Sequence, residues 1–227
     1  MTPCVVLPAY NEAGNIRDVI RAIKALKLDV LVVDDGSEDE TYLVAAKEQA
    51  YLIRHPRRTG KGASLKDGID YAIRNGYNTI ITMDADGQHD ASDIPAFLNK
   101  VNETGSSVVV GNRMDNPIDM PVMRILTNKF MSAIISGICK QKIPDTQCGY
   151  RLFKKEALDK LKIEARKFEV DSEVLIKIAQ RGEKIESVPI RSIYADEVSK
   201  IRPIRDSFRF ILFLFKIWFK GRQAKDV

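Results

Sequence analysis

The chain has 227 residues, of which 44% are hydrophobic and 30% charged, and its formal net charge at pH 7 is +5. These values exclude an intrinsically disordered chain and predict one large domain with a substantial hydrophobic core. The three cysteines, Cys4, Cys139 and Cys148, lack paired spacing, which argues against a disulfide framework or a zinc site and favours reduced thiols in the cytosol. The first residues contain no basic segment followed by a long apolar stretch, so we expect no secretory signal.

Apolar strands and amphipathic helices alternate along the first half of the chain. The hydrophobic pattern predicts strands at 5–8, 30–33, 51–54, 79–83 and 107–110, and helices at 15–26, 39–49, 62–76 and 93–101. This alternation predicts an α/β fold with a mostly parallel central sheet and helices on both faces. Further helices are predicted at 124–139 and 168–181, and an amphipathic helix is predicted within the C-terminal segment 204–227.

Polar residues follow four of the predicted strands, at the edge where parallel sheets bind their ligands. These loops contain Tyr10, Asn11 and Glu12; Asp34 and Asp35; Asp84 and Asp86; and Asn112 with Arg113. Asp84 and Asp86 end an apolar run, and because they are two positions apart they emerge on the same side of it. Such a pair is either a hard oxygen site for Mg²⁺ or Mn²⁺, completed by water and substrate phosphate, or an acidic loop after a core strand.

Two familiar nucleotide-binding motifs do not fit the sequence. The loop after the first strand, 9–15, lacks the G-x-G-x-x-G pattern of dinucleotide-binding proteins. Gly60 and Lys61 resemble the end of a P-loop, but His55 replaces its first glycine and Gly62 replaces its Ser or Thr. Lys61 therefore either approaches a phosphate or belongs to a flexible entry into the next helix.

Several segments, in order and at appropriate spacing, resemble those of family 2 glycosyltransferases with the GT-A fold. They are 8–12, 32–37, 60–62, 84–88 and 111–113. Segment 145–153 is similar to the corresponding stretch of dolichyl- and polyprenyl-phosphate sugar synthases. The resemblance implies a Rossmann-like GT-A catalytic domain over residues 1–203. It also implies a metal-dependent, inverting transfer of a hexose from a nucleotide diphosphate sugar, of the GDP-mannose or UDP-glucose type, to a polyprenyl or dolichyl phosphate.

The resemblance further implies roles for individual residues. Donor binding is implied for Pro8, Tyr10, Glu12, Val33, Asp35, Lys61, Asp84, Ala85, Asp86 and Lys200. Asp84 and Asp86 match the DxD motif of the family, with Gln88 as a further ligand of Mg²⁺ or Mn²⁺ on the donor diphosphate. Catalytic roles are implied for Asp86, Arg113 and Asp171. Asp171 is a general base for a hydroxyl acceptor, a positioning group for an already ionised phosphate, or the N-cap of the predicted helix 168–181.

Arg113 and a helical stripe of polar residues are expected to meet the acceptor. A guanidinium suits phosphate because its fork makes paired, charged hydrogen bonds. Four polar residues recur every four positions on the predicted helix 124–139, so they share one side of it; they are Arg124, Asn128, Ser132 and Ser136. We expect this stripe, together with Arg113, to receive the phosphate of the acceptor.

The C-terminal segment is expected to contact a membrane. Bases recur along one side of its predicted helix, with aromatic and aliphatic residues on the other; they are Arg205, Arg209, Lys216 and Lys220. Its longest apolar run is far shorter than the roughly 20 residues that span a bilayer, so the helix lies in the membrane interface or docks on the protein core. With a lipid-linked acceptor, this predicts a peripheral protein at the cytosolic membrane face. Nucleic acid is not expected as a partner, and a membrane subunit or a homo-oligomer is left open.

Two other functions are compatible with the sequence. One is a glycosyltransferase that acts on a glycan hydroxyl with Asp171 as its base. The other is a noncatalytic nucleotide-binding membrane module that keeps the fold without turnover. Asp84 and Asp86 favour an enzyme, because a binding module has less need of a metal at the bond that breaks.

Overall fold

Seven strands form one sheet in the part of the chain that the computed structural model describes, residues 1–117, 120–165 and 169–193. In chain order they are β1 (Pro3–Ala9), β2 (Asp29–Asp34), β3 (Tyr51–Arg54), β4 (Thr79–Thr82), β5 (Val108–Asn112), β6 (Arg151–Lys154) and β7 (Ile185–Pro189). Across the sheet the order is β3-β2-β1-β4-β6-β5-β7. Only β6 runs antiparallel to its neighbours, β4 and β5, within this sheet. The prediction of an α/β fold with a mostly parallel sheet is therefore confirmed.

Helices connect most of these strands, as the alternating pattern predicts. They are α1 (Ile16–Ala25), α2 (Thr41–Lys47), α3 (Lys61–Arg74), α4 (Ile94–Thr104), α5 (Val122–Cys139), α6 (Lys155–Leu158) and α7 (Glu169–Gln180). Every strand and helix predicted up to residue 139 is present, with ends shifted by a few residues. The hydrophobic pattern does not predict β6, α6 or β7, because charged residues interrupt the apolar positions of these short segments.

The core of the sheet surrounds β1. Residues 4–7 are fully buried, as expected for an unbroken apolar run in a strand covered on both faces. Helix α3 approaches this strand closely at Gly68, where an added Cβ would overlap Val6 Cγ1 and lie 3.0 Å from Val33 Cγ2. A glycine at this position therefore lets helix and sheet pack at short distance.

The buried side of helix α5 is partly polar, unlike that of most helices of globular proteins. Asn128 and Ser132 are buried there together with Ile135 and Cys139. Four large apolar residues on the other side are mostly exposed: Val122 (70%), Met123 (73%), Leu126 (56%) and Phe130 (68%). We call these four residues the outer face of α5.

Some predictions concern residues that lie outside the described part of the chain. They include Lys200, the boundary at residue 203 and the helix in segment 204–227. The predicted helix 168–181 is described from Glu169 onwards as α7. Asp171 lies in the first turn of α7, so its assignment as the N-cap of this helix is wrong.

Candidate active site

The loops that follow β1, β2, β4 and β5 lie at one edge of the sheet, because these strands point in the same direction. Hydrogen bonds and ion pairs join the loops to one another. The backbone N–H of Asp35, after β2, donates to the carbonyl of Ala9, at the end of β1, at 2.8 Å. Lys61, the first residue of α3, reaches Asp84, which follows β4, at 2.7 Å. The polar strand ends therefore form one continuous site.

A lysine between two aspartates occupies the centre of this site. Lys61 Nζ lies 2.7 Å from Asp84 Oδ1 and 3.2 Å from Asp171 Oδ2. The three side chains are 16%, 30% and 9% exposed, respectively, so water screens the charges only in part. A Cβ added at Gly149 would lie 2.7 Å from Asp84 Oδ2 and 2.8 Å from Lys61 Nζ. The bare backbone at residue 149 thus covers the lysine and its partner.

The two carboxylates of the DxD pair have different environments. Burial alone would raise the pKa of Asp84, but the charges of Lys61 and His89 outweigh it and hold that pKa below its ordinary value. Burial raises the pKa of Asp86, and the negative charge of Asp84 raises it further. Asp86 Oδ1 accepts a hydrogen bond from the backbone N–H of Gln88 at 3.0 Å, across Gly87 with its φ of +75°. The turn thus holds the two acids close enough to repel one another.

These residues fit a divalent cation that shares its coordination with a substrate. Asp84 and Asp86 supply carboxylate oxygens, and a cation between them would relieve their repulsion. Among the residues described, no three His, Cys, Asp or Glu side chains are arranged to hold a metal by themselves. Two carboxylates leave coordination positions for water and phosphate oxygens, as is usual for Mg²⁺. In this structure the positive charge of Lys61 compensates the negative charge of Asp84.

Asp35 supports the turn that carries Lys61. Its carboxylate accepts hydrogen bonds from Thr59 N at 2.8 Å, from Thr59 Oγ1 at 2.6 Å and from Gly60 N at 2.8 Å. His55 Nδ1 lies 2.9 Å from the same carboxylate, which is almost fully buried. Four polar atoms of His55, Thr59 and Gly60 therefore hold the Asp35 carboxylate in place. The carboxylate in turn fixes the turn that leads into α3.

The other predicted donor residues lie around the ends of β1 and β2. The Arg58 guanidinium stacks on the ring of Tyr10, 4.0 Å from its centre. The backbone N–H of Glu12 donates to Thr41 Oγ1 at 2.8 Å, and Glu12 Oε2 accepts from Asn15 Nδ2 at 3.2 Å. Three apolar residues complete the set: Pro8 is partly exposed, whereas Val33 and Ala85 are buried. Backbone and side-chain hydrogen bonds therefore fix the loop that carries Glu12.

Arg113 pairs with a carboxylate that the sequence analysis did not single out. Arg113 Nε lies 2.7 Å from Asp145 Oδ2, and Nη2 lies 3.0 Å from Oδ1, so the pair is bidentate. Both residues are buried. Arg113 thus anchors the loop 145–149 to the end of β5, at the margin of the charged centre.

A second buried arginine, Arg151 in β6, holds the same loop. It donates hydrogen bonds to the carbonyls of Thr146 at 2.9 Å, Cys148 at 2.8 Å and Asp171 at 2.5 Å. Its Nη2 is also 3.8 Å from Asp171 Oδ1. The two oxygens of Asp171 therefore face two different cations, Arg151 and Lys61.

The residues of the predicted polar stripe on α5 differ in their burial and in their hydrogen bonds. Ser132 Oγ accepts a hydrogen bond from Thr146 N at 2.9 Å, so this serine supports the loop 145–149. Asn128 is buried, and its Nδ2 has no hydrogen-bond partner among the described residues. Arg124 is partly exposed, one turn before Asn128. Asn128 thus retains an unused donor beside the loop that Arg113 anchors.

Three contributors to this site were missed by the sequence analysis: His89, Asp145 and Arg151. His89 Nε2 lies 3.7 Å from Asp84 Oδ2, and its Nδ1 is buried without a hydrogen-bond partner in the described structure. The position of His89, three residues after Asp86, could have indicated from the sequence that it lies near the two acids. Asp145 pairs with Arg113, 32 residues away, and Arg151 also donates to the carbonyl of Asp171, 20 residues away; no local pattern reveals these two partners.

Relatives of this chain include proteins named for sugar transfer to lipid phosphates. The UDP-N-acetylglucosamine–dolichyl-phosphate N-acetylglucosaminyltransferase of Methanococcus voltae is 30% identical, over 98% of this chain and 97% of that protein. The undecaprenyl-phosphate mannosyltransferase of Micrococcus luteus is 27% identical, over 84% and 83%. A structure of Mycobacterium tuberculosis glucosyl-3-phosphoglycerate synthase with Mn²⁺, uridine diphosphate and phosphoglyceric acid has a TM-score of 0.68 at 21% identity, covering 92% of this chain and 74% of that one. This structural likeness supports the GT-A fold.

The sequence profile of one family covers most of the chain. It is described as glycosyl transferase family 2 and matches residues 4–162. The matched range contains the DxD pair, Lys61, Arg113 and the loop 145–149. The chain therefore belongs to glycosyl transferase family 2 and is a glycosyltransferase, similar to enzymes named for transfer to dolichyl and polyprenyl phosphates.

Proposed function

We propose that this glycosyltransferase is metal-dependent and inverting, and that it transfers a hexose from a nucleotide diphosphate sugar to a polyprenyl or dolichyl phosphate. The observation that carries the proposal is the cluster of Lys61, Asp84 and Asp171 beside Asp86. It combines carboxylates for a divalent ion with a lysine for phosphate at the edge where such sheets bind ligands. The names of the relatives support a lipid phosphate as acceptor.

The donor occupies the half of the site formed by β1, β2 and β4. The base and ribose lie against Pro8, Tyr10, Glu12, Val33 and Asp35, and the diphosphate lies near Lys61, Asp84, Ala85 and Asp86. Asp84 and Asp86, with Gln88 as a further ligand, would hold Mg²⁺ or Mn²⁺, and a bound ion would supply positive charge for the leaving nucleoside diphosphate. Lys200, outside the described residues, is a further proposed donor contact.

The acceptor phosphate occupies the half of the site next to α5. Arg113, Arg124, Asn128 and Ser132 are the proposed contacts, and the unused Nδ2 donor of Asn128 supports this assignment. An ionised phosphate oxygen attacks without losing a proton, so it requires no general base. Because Lys61 and Arg151 face the two oxygens of Asp171, we assign Asp171 to positioning these cations. This favours a phosphate acceptor over a glycan hydroxyl.

The acceptor requires that the protein reach a membrane, and we place it peripherally at the cytosolic face. The outer face of α5 supports this placement. Lys129 is exposed on this helix and Lys140 is exposed directly after its end, and both suit anionic headgroups. Among the described helices, α5 alone has the length and hydropathy to cross a membrane, but its buried polar side packs on the protein. We therefore propose that α5 lies flat in the interface, with the helix in 204–227 as a second contact beyond the catalytic domain 1–203.

A donor and acceptor screen tests the proposed reaction. The protein is incubated with Mn²⁺, a short polyprenyl phosphate and GDP-mannose, UDP-glucose or UDP-N-acetylglucosamine in turn. One donor is expected to release nucleoside diphosphate and to yield labelled sugar that partitions into organic solvent only when the lipid phosphate is present. Labelled product that forms only with a glycan acceptor would contradict the proposed acceptor. If none of the three donors releases nucleoside diphosphate, the noncatalytic module would be favoured.

Asp86→Asn tests the metal dependence of the same reaction. The change removes one ligand charge with little change in shape, so we expect the turnover number to fall by about 100-fold or more. Asp18→Asn alters the same charge on the exposed side of α1 and should leave turnover within about twofold of the wild type. Equal turnover of Asp86→Asn and wild type would refute a metal held by this pair.

A further inference from the structure

Lys61 takes the place next to Asp84 that a metal ion would share. Its Nζ is 2.7 Å from Asp84 Oδ1, a short and charge-assisted contact. Water reaches this ion pair only in part, since the Lys61 side chain is 16% exposed and that of Asp84 is 30% exposed. An ammonium is a compact point charge, and it neutralises the carboxylate that a divalent ion needs as its ligand. Lys61 and the ion are therefore competitors for Asp84.

The same lysine has a second carboxylate within reach. Asp171 Oδ2 lies 3.2 Å from Lys61 Nζ, while Asp84 Oδ1 lies 2.7 Å from the same nitrogen. Asp171 is held in the first turn of α7, where its backbone carbonyl accepts a bond from Arg151. The four-carbon stem of a lysine is flexible, so small rotations move its charge from one acid to the other. Asp171 can thus keep Lys61 neutralised when Asp84 is engaged elsewhere.

We propose that Lys61 is an exchangeable counter-cation of the metal site. It holds Asp84 in the metal-free enzyme and moves to Asp171 when Asp84 binds a divalent ion. This inference rests on the proposed role of Asp84 and Asp86 in metal binding. It predicts that Lys61 weakens metal affinity and that Asp171, which is not a metal ligand in this scheme, strengthens it by accepting the released lysine.

Binding of Mn²⁺ alone to the full chain, followed by electron paramagnetic resonance, tests the competition. Lys61→Met removes the competing charge, so we expect Mn²⁺ to bind roughly tenfold more tightly or better. Lys61→Arg keeps a cation at this position and should retain weak binding. Lys66→Met removes the same charge from an exposed position of α3 and should change the affinity by less than about twofold. Circular dichroism establishes that each variant is folded.

A double-mutant cycle tests the exchange with Asp171. Asp171→Asn removes the second partner of Lys61, so it should weaken Mn²⁺ binding in the wild-type background. In the Lys61→Met background no lysine needs a partner, and the weakening should be at least threefold smaller. The same loss in both backgrounds would mean that Asp171 acts on the ion directly, which would overturn the exchange.

Asp84→Asn separates failure of this inference from failure of the proposed metal site. Loss of Mn²⁺ binding in Asp84→Asn, with no gain in folded Lys61→Met, would overturn the role of Lys61 while leaving the metal site intact. Unchanged Mn²⁺ binding in Asp84→Asn, or no binding by any variant, would overturn both. Tighter binding by Lys61→Met but not by Lys61→Arg supports the exchange.

Discussion

At the scale of single residues, the buried charges of this enzyme are held by specific partners. Arg113 and Asp145 form a bidentate pair in which both side chains are shielded from water. Removing one member of such a pair leaves the other charged and buried without compensation. Replacement of either residue should therefore destabilise the fold, in addition to any effect on substrate binding.

Asp145→Asn should strongly destabilise the fold. It leaves the Arg113 guanidinium uncompensated, so we expect the free energy of unfolding to fall by about 3 kcal/mol in urea denaturation at neutral pH. Glu103→Gln is a matched control, because Glu103 pairs with Lys100 at 3.7 Å and its side chain is 66% exposed. Its effect should be much smaller, since exposed pairs contribute little. A similar loss in both variants would contradict the distinction between buried and exposed pairs.

Asp35 should make the stability of the protein depend on pH in the acid range. Burial raises the pKa of Asp35, but hydrogen bonds from His55, Thr59 and Gly60 outweigh burial and hold it below 3.8. A lowered folded-state pKa contributes stability that is present above the unfolded-state value and is lost as the pH falls through the folded-state value. The difference in unfolding free energy between wild type and Asp35→Asn should thus be large near pH 5 and shrink below about pH 4.

Urea denaturation at several pH values measures this difference. Asp18→Asn, on the exposed side of α1, provides the control, and its difference from wild type should stay small throughout. A gap between wild type and Asp35→Asn that widens towards low pH would contradict the assignment of Asp35 as an ionised support of the turn at Gly60.

At the scale of elements, the outer face of α5 should bind lipid surfaces. Leu126→Gln together with Phe130→Gln removes two large apolar groups from the proposed interface, so we expect binding to anionic vesicles to weaken by roughly tenfold. Vesicle flotation of the full chain measures the bound fraction. Leu43→Gln is the control, because Leu43 is 55% exposed on α2, on a different helix.

Flotation also separates the two proposed membrane contacts. A chain without residues 204–227 should retain the part of binding that depends on α5. If the double variant of α5 floats as well as wild type, the outer face does not contact the membrane. If removal of 204–227 leaves binding unchanged, the C-terminal segment is not an anchor.

The contact between α3 and β1 should depend on the absence of a side chain at residue 68. Gly68→Ala places a methyl group against Val6 and Val33, and overpacking of this kind should lower the free energy of unfolding by about 1 to 3 kcal/mol. Gly137→Ala, in α5, meets no atom within 4 Å and should raise it by up to about 1 kcal/mol through helix propensity. Thermal or urea unfolding of both variants checks the opposite signs, and destabilisation of both would show that packing is not the cause.

At the scale of the whole molecule, apolar runs and their spacing were sufficient to predict the first five strands of the sheet. The strand before Asp84 is one example, because its four residues are all buried. Helix α5 shows the limit of such reasoning. The sequence analysis located it, but an apolar side normally faces the protein, whereas here Asn128 and Ser132 face inwards. For Ser132 the reason is a distant contact, because Thr146 N in the loop 145–149 donates a hydrogen bond to Ser132 Oγ.

The candidate site shows the same division between local pattern and distant contact. The DxD pair follows from two positions on one strand end, and the structure places Lys61 beside it. The assignment of Arg113 to phosphate could not anticipate Asp145, which is 32 residues away and bonded to both arms of the guanidinium. Asp171 likewise shows no sign in the sequence of its contacts with Lys61 and Arg151. Charge pairing across the fold depends on topology, which residue patterns alone do not provide.

The absence of a side chain at Gly149 leaves room for the ion pair between Lys61 and Asp84. The nearest atoms that an added methyl group would meet there are the ends of the Asp84 and Lys61 side chains. It would push this cation and this anion apart without altering any charge. A purely steric change at residue 149 would therefore weaken an ion pair to which that residue contributes no charged group.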